Sequence, residues 1–139
     1  MSKSPKQIEL EPYTGMAEDV ADFHKKYGIQ YEGPPRRLPY NLFNFRTLRL
    51  REEVEEYVKA PDLEHELDAM IDEIYICLGT LHVHGFTPEV IAEAWRRVHD
   101  ANMRKELNSA ANPGKGHPTD IVKPKGWTPP DLSDLCQNS

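Results

Sequence analysis

The strongest constraint on the fold is an apolar stripe between residues 63 and 81. Its members follow the i, i+3, i+4, i+7 spacing that places side chains on one face of an α-helix: Leu63, Leu67, Met70, Ile71, Ile74, Leu78 and Leu81. Asp62 precedes the stripe as a helix N-cap, and Gly85 follows it as a stop, so we predict a helix that reaches about His84. Such a helix is stable only if its apolar face packs on other elements.

Helical spacing, caps and breakers predict three further helices: a first from Met16 to about Tyr27 capped by Thr14, a second over about residues 41–60 before Pro61, and a fourth opened by Thr87 and Pro88 and running to about Leu107. No convincing strand pattern is present. We therefore expect an all-α four-helix bundle with a helical body over about residues 14–107. Residues 108–139, rich in Pro and Gly, are predicted to form an extended or irregular tail.

Length and composition narrow the class of protein. The 139 residues suit a single domain, and a formal net charge of -6 argues against general nucleic-acid binding. The longest apolar run is too short to cross a membrane, and the first residues lack an apolar signal region. Two cysteines, Cys77 and Cys136, form no disulfide framework or metal pair. We expect a cytoplasmic protein without membrane or nucleic-acid partners.

Two apolar residues fall outside the main helical stripes. Ile76 lies on roughly the opposite side of the third helix, and Phe45 is out of line on the second. One protomer is not expected to cover both faces of these helices. Burial by a second copy would solve this, so we expect a homodimer or a larger even-numbered assembly such as a homotetramer.

Negative charge is concentrated in the predicted hairpin of the second and third helices. Ten of the 23 acidic residues fall between Glu52 and Glu73. The short connection makes these helices antiparallel neighbours, which would bring several carboxylates to one point: Glu53 and Glu56 opposite Asp68 and Asp72. Two charges about 4 Å apart repel by roughly 4 kcal/mol at an effective dielectric of 20. Oxygen-only ligands suit a hard divalent cation, Mg²⁺ or Mn²⁺, which in turn suggests phosphate chemistry.

The same spacing has a simpler interpretation. Acidic residues at i, i+3 and i+4 commonly form a solvated helix face, and Arg49 and Arg51 would supply local ion pairs worth a few tenths of a kcal/mol each. Spacing alone leaves both interpretations open.

Three motifs resemble those of the MazG-like, all-α nucleotide pyrophosphohydrolases, especially the short subgroup of bacteria and phages. They are EExxE at residues 52–56, DxxxDxxYxxxG at residues 68–79, and VHxxNMxK at residues 98–105. Weaker likeness extends to "VADFHKKYG" and "GWTPPDL". The resemblance implies an enzyme that splits a (deoxy)nucleoside triphosphate between the α and β phosphates, giving a monophosphate and pyrophosphate through attack of a metal-activated water on the α phosphate.

The resemblance also implies the metal ligands. Mg²⁺ would be held by an ExxE, here Glu53 and Glu56, and by the Asp of a following ExxD, here Asp72. Ala69 stands where the usual ExxD has its glutamate, and Asp68, one place earlier, is the expected substitute. Mn²⁺ could replace Mg²⁺.

The remaining candidates concern the water and the substrate. Glu52 or Glu53 would orient or deprotonate the attacking water. Lys105, assisted by Arg104, would bind the phosphate chain, although both also complement the dipole of the fourth helix. Asn102 would contact the sugar or base. Trp127 either stacks on a base or anchors the tail, and we favour the anchor.

Two rival functions remain. Phosphoribosyl-ATP pyrophosphohydrolase activity belongs to the same fold and is the nearest alternative, made less favourable because no partner cyclohydrolase accompanies the chain. The other is a non-catalytic helical dimer that binds a nucleotide or a protein, since the missing ExxD glutamate would fit a loss of activity.

Overall fold

The computed structural model describes residues 15–137 and contains four α-helices in this part of the chain. Their bounds are α1 Met16–Lys26, α2 Tyr40–Val58, α3 Leu63–Val83 and α4 Pro88–Met103. Two short strands follow, β1 Glu106–Leu107 and β2 Ile121–Val122, and a 3₁₀ helix spans Ser133–Cys136. The predicted all-α bundle is therefore confirmed.

Local signals start the third and fourth helices as predicted. The Asp62 carboxylate accepts a hydrogen bond from the backbone N–H of His65 at 2.9 Å, and the Thr87 hydroxyl accepts one from Val90. Gly85, with φ of 102°, follows α3 in the left-handed region that glycine adopts most easily. The predicted cap of α1, Thr14, lies outside the described residues.

The fourth helix ends earlier than predicted. It stops at Met103 rather than near Leu107, because Glu106 and Leu107 pair in antiparallel register with Val122 and Ile121. The tail is therefore a small hairpin followed by a docked segment, not wholly irregular. Trp127 anchors it, as predicted, by donating from its indole N–H to the carbonyl of Ala101 at 2.8 Å.

Helix packing leaves part of the apolar surface open. The closest packing is between α2 and α3, joined by a four-residue connection, and α1 lies against α3 and touches α4. Few large side chains are fully buried, and the interior includes the small Ala69, Ala101, Val20 and Val83. None of the helices in the described part of the chain is both long and apolar enough to cross a membrane.

The open face of α3 is not the one that the sequence indicated. The regular stripe is largely exposed, with Leu63 77% and Leu67 63% accessible, whereas the out-of-line Ile76 is half-buried and lines a cleft beside α1 and α2. The physical reason is the choice of contact face: the small residues Ala69 and Gly79 are buried on α3, and Gly79 lies against His24 of α1 and Arg46 of α2, so that the helices approach closely there.

Candidate active site

One carboxylate of α2 lies in the interior. Glu53 is only 3% exposed, because its side of α2 faces α3. Its Oε1 lies 3.8 Å from Nη2 of Arg49, and its Oε2 has no hydrogen-bond partner. A buried carboxylate oxygen without a donor is strongly unfavourable. This atom therefore marks a position where a positive ligand would be stabilised.

Two further carboxylates converge on Glu53. One oxygen from each of Glu53, Glu56 and Asp72 lies within 4.8 Å of the other two. Glu56 is exposed and Asp72 half-buried, so the cluster opens from the interior toward solvent. Three carboxylate oxygens in this arrangement fit the oxygen-rich coordination of a hard divalent cation such as Mg²⁺.

The electrostatics of the cluster are those of a site that lacks positive charge. Burial raises the pKa of Glu53 most; a side-chain hydrogen bond with Glu56 and the charges of Glu56 and Asp72 add to this, and the guanidinium of Arg49 only partly opposes it. Burial also raises the pKa of Asp72, and the charges of Asp68 and Glu56 add to the effect. A bound cation would reverse these effects by favouring the ionised carboxylates.

The cluster lies between two open clefts. The inner cleft, about 320 Å³, lies beside α1 and is lined by His24, Phe45, Arg46, Arg49, Glu53 and Asp72 among others. The outer groove, about 640 Å³, lies at the α2–α3 connection and is lined by Glu52, Glu55, Glu56 and Asp68 together with Arg51 and Lys59. Two arginines face two carboxylates in the inner cleft, whereas four carboxylates face two cations in the outer groove. A polyanion is therefore better accommodated in the inner cleft.

The other predicted acidic residues lie around the cluster. Glu52 is half-buried and accepts a 2.7 Å hydrogen bond at Oε2 from Nη1 of Arg49. Asp68 is exposed and lies outside the group of three converging oxygens, although its charge acts on Asp72. Ala69 is buried and lines the outer groove.

The predicted substrate-binding residues lie elsewhere. Asn102 and Arg104 are exposed and Lys105 is half-buried, all at the end of α4. Lys105 places its Nζ 5.1 Å from the centre of the Trp127 ring, and Lys123 lies at 5.2 Å from the same ring. Neither cleft at the carboxylates is lined by Asn102, Arg104 or Lys105. A single chain does not bring these residues to the acidic cluster.

Sequence reasoning missed a polar group that also lines the inner cleft. Arg46 donates from Nη2 to Nε2 of His24 at 3.2 Å, and Nδ1 of His24 lies 2.8 Å from Nδ1 of His82. Because Nε2 of His24 accepts, its proton lies on Nδ1 and is donated to His82. Burial, with Arg46 and His82 adding to it, lowers the pKa of His24 to about 4, so the ring is neutral at pH 7. The spacing of residues 46, 49, 53 and 56 on one face of α2 was the available signal.

The comparison with protein families identifies the chain. Residues 20–102 match the model of the phosphoribosyl-ATP pyrophosphohydrolase family. The chain belongs to this family. The match covers α2, α3, nearly all of α4 and most of α1, and it therefore includes every residue of the acidic cluster. A comparison with curated proteins gave no match.

Membership in the phosphoribosyl-ATP pyrophosphohydrolase family confirms the resemblance to MazG-like proteins. It makes the chain an enzyme, a nucleotide pyrophosphohydrolase that acts on phosphoric anhydrides. The family is generally metal-dependent, and the three converging carboxylates supply a group that could hold an ion.

Proposed function

We propose that the protein is a Mg²⁺-dependent pyrophosphohydrolase of cytoplasmic (deoxy)nucleoside triphosphates, cleaving between the α and β phosphates to give a monophosphate and pyrophosphate. The observation that carries this proposal is the buried Glu53, whose unpartnered Oε2 lies in a cluster with Glu56 and Asp72. Solvated acidic helix faces do not bury a carboxylate to this extent. The simpler interpretation of the acidic residues therefore does not account for Glu53.

Glu53, Glu56 and Asp72 would hold the ion, and Asp68 would complete the ligand set from the edge of the outer groove. When bound, Mg²⁺ would stabilise charge on the phosphate oxygens and lower the pKa of water, and Mn²⁺ would serve as a substitute. Carboxylate oxygens are suitable ligands for either ion.

Glu52 is the residue that we assign to the attacking water. Its Oε2 is held by Arg49, which leaves Oε1 to orient the water and accept its proton. Glu53 is the alternative, but its use as a ligand would lower its basicity. The nucleotide would lie in the inner cleft, where Phe23, Phe45 and Tyr75 offer apolar and aromatic surface to the nucleoside.

We further propose that the active enzyme is a homodimer or homotetramer. The exposed stripe of α3 continues into an apolar groove of about 440 Å³ between α3 and α4, and Trp95 at its edge is 74% exposed. Contiguous apolar surface of this kind is typical of an interface. Association would also supply a route for Asn102, Arg104 and Lys105 to reach the substrate of a neighbouring chain, since they do not line the clefts of their own.

The test is a panel of dNTPs and NTPs incubated with the purified protein and Mg²⁺, with product identity read by ion-exchange chromatography. We expect pyrophosphate and the monophosphate as first products, and loss of release on addition of a chelator. Glu53→Gln and Asp72→Asn should abolish release without changing helix content. Orthophosphate as the first product would contradict the assignment, and release unaffected by both substitutions would place the reaction elsewhere.

Phosphoribosyl-ATP is a second candidate substrate, favoured by the family match over residues 20–102. It presents the same α–β anhydride to the same carboxylates and adds a monophosphate, separate from the triphosphate, at the far end of the molecule. Including it in the panel separates the two candidates, because the true substrate should show the highest kcat/KM.

A further inference from the structure

The guanidinium of Arg46 has no anionic partner in the described part of the chain. Its Nε is buried without a hydrogen-bond partner, and only Nη2 is bonded, to the neutral ring of His24. None of the ion pairs among residues 15–137 includes Arg46. A partly buried cation without a counter-charge is unfavourable. The fold nevertheless holds this charge in place.

Two features fix the position of the Arg46 side chain. His24 is 2% exposed and is itself held by His82, so the acceptor for Nη2 is rigid. Gly79 of α3 leaves the space that the guanidinium uses: a Cβ at this position would lie 3.1 Å from Nη1 of Arg46 and 3.0 Å from Nε2 of His24. The glycine of the DxxxDxxYxxxG motif therefore makes room for the arginine and the histidine.

Arg46 and the acidic cluster share one cleft. Arg46 is seven residues before Glu53, which is two helical turns along the same face of α2 and about 10 Å along the axis. Both line the inner cleft, and so does Asp72. Among the described residues, the buried side-chain atoms without a partner belong to Arg46 and Glu53 alone. One is positive and the other negative, and they lie in the wall of the same cleft.

We propose that Arg46 binds a phosphate group of the nucleotide substrate, and that His24, His82 and Gly79 position its guanidinium to do so. The phosphate supplies the missing counter-charge and can accept from Nη1, for which no hydrogen bond is found among the described residues, at the edge of the guanidinium formed by Nη1 and Nη2; a planar edge with two nitrogens is offered by arginine and not by lysine. Arg46 is thus a substrate-binding residue of the inner cleft, two helical turns from Glu53. The identity of the anion rests on the proposed function.

Binding of inorganic tripolyphosphate tests the proposal without requiring turnover. Affinity is measured by calorimetry with Mg²⁺ for the wild type, Arg46→Met, Arg46→Lys and the control Arg37→Met, which removes an exposed arginine. Arg46→Met should weaken binding roughly ten- to hundredfold, Arg46→Lys by less, and the control by less than twofold. Mn²⁺ binding in the absence of polyphosphate, read by electron paramagnetic resonance, should stay as in the wild type.

A stability measurement separates a binding role from a structural one. Without ligand, Arg46→Met should change the Tm little, because removal of an uncompensated charge is favourable whereas loss of the donor to the buried Nε2 of His24 is unfavourable. A lowered Tm with wild-type affinity for tripolyphosphate would overturn the proposal. If Arg46→Met does not fold, Arg46→Lys decides, and affinity within twofold of the wild type would be the contrary result.

The proposed function and this inference can fail separately. A wild-type enzyme that releases pyrophosphate, with KM unchanged in Arg46→Met, would retain the function and refute the role of Arg46. A wild-type protein that hydrolyses no nucleotide but loses tripolyphosphate binding in Arg46→Met would refute the substrate assignment and support the anion site.

Discussion

Replacing Glu53 by glutamine tests the physical basis of the active site. In the metal-free protein Glu53 lies within 4.8 Å of oxygens of Glu56 and Asp72, a repulsion of at least about 3.5 kcal/mol with each at an effective dielectric of 20. Its attraction to Arg49 at 3.8 Å opposes this by about 4.4 kcal/mol. The balance favours the neutral side chain by at most roughly 2–3 kcal/mol, because the raised pKa of Glu53 lets the carboxyl group take up a proton more readily and so relieves part of the repulsion.

Glu53→Gln should therefore stabilise the metal-free protein while removing its activity. At about 3–4 °C per kcal/mol for a chain of this size, the Tm in chelator should rise by up to about 12 °C. Mg²⁺ should raise the Tm of the wild type by linkage, and this increase should be lost in the variant. Pyrophosphate release should fall below detection.

The assay is thermal unfolding followed by circular dichroism, with chelator and with Mg²⁺, alongside pyrophosphate release. Glu55→Gln is the matched control, since it removes an exposed carboxylate of the same helix that pairs with Lys59 at 3.4 Å. It should change the free energy of unfolding by only a few tenths of a kcal/mol. A Tm in chelator that falls on Glu53→Gln, together with a wild-type response to Mg²⁺, would refute the reasoning.

Three further outcomes follow from the packing. In the folded protein His24 has a pKa of about 4, below the value of 6.5 in the unfolded chain. The unfolded state therefore binds the proton first, and the free energy of unfolding should fall by about 2–3 kcal/mol as the pH drops from 6.5 to 4. His24→Gln should reduce this pH dependence in urea unfolding, and an unchanged pH dependence would assign it to other groups. Trp127→Ala removes the hydrogen bond to the carbonyl of Ala101. It should lower the free energy of unfolding by roughly 2 kcal/mol and make the tail sensitive to protease. Protease resistance equal to that of the wild type would mean that other residues hold the tail. Leu67→Glu on the exposed stripe of α3 should dissociate the assembly in light scattering, while Lys25→Glu on α1 should not; a monomeric wild type would refute the interface.

Much of the secondary structure was predictable because its causes are local. Asp62 and Thr87 cap helices through bonds to residues three positions later, and such bonds can be anticipated from neighbouring letters of the sequence. The end of α4 could not be anticipated in this way, because it depends on the pairing of Glu106 with Val122 across the tail. Pairing between residues so far apart leaves no signal in the helical spacing itself.

The choice of contact face also depended on tertiary structure. The stripe that includes Leu63 and Leu67 is the most apolar face of α3, yet the protomer packs the face with Ala69 and Gly79. Hydrophobic periodicity reports which face must be buried, but it does not report whether another helix of the same chain buries it. Small residues decided the intramolecular contact because they allow backbones to approach.

The sequence by itself determined that this protein has acidic residues on adjoining faces of two helices joined by a short turn, and this was enough to bring Glu53, Glu56 and Asp72 together. Only the tertiary structure decided that Glu53 is buried with an unpartnered oxygen and that Arg46 meets His24 from another helix. The reason is that spacing along one helix sets directions, whereas burial and pairing between α1 and α2 depend on how closely helices pack. The charges of Arg46 and Glu53 come to line one cleft only when α1, α2 and α3 pack together.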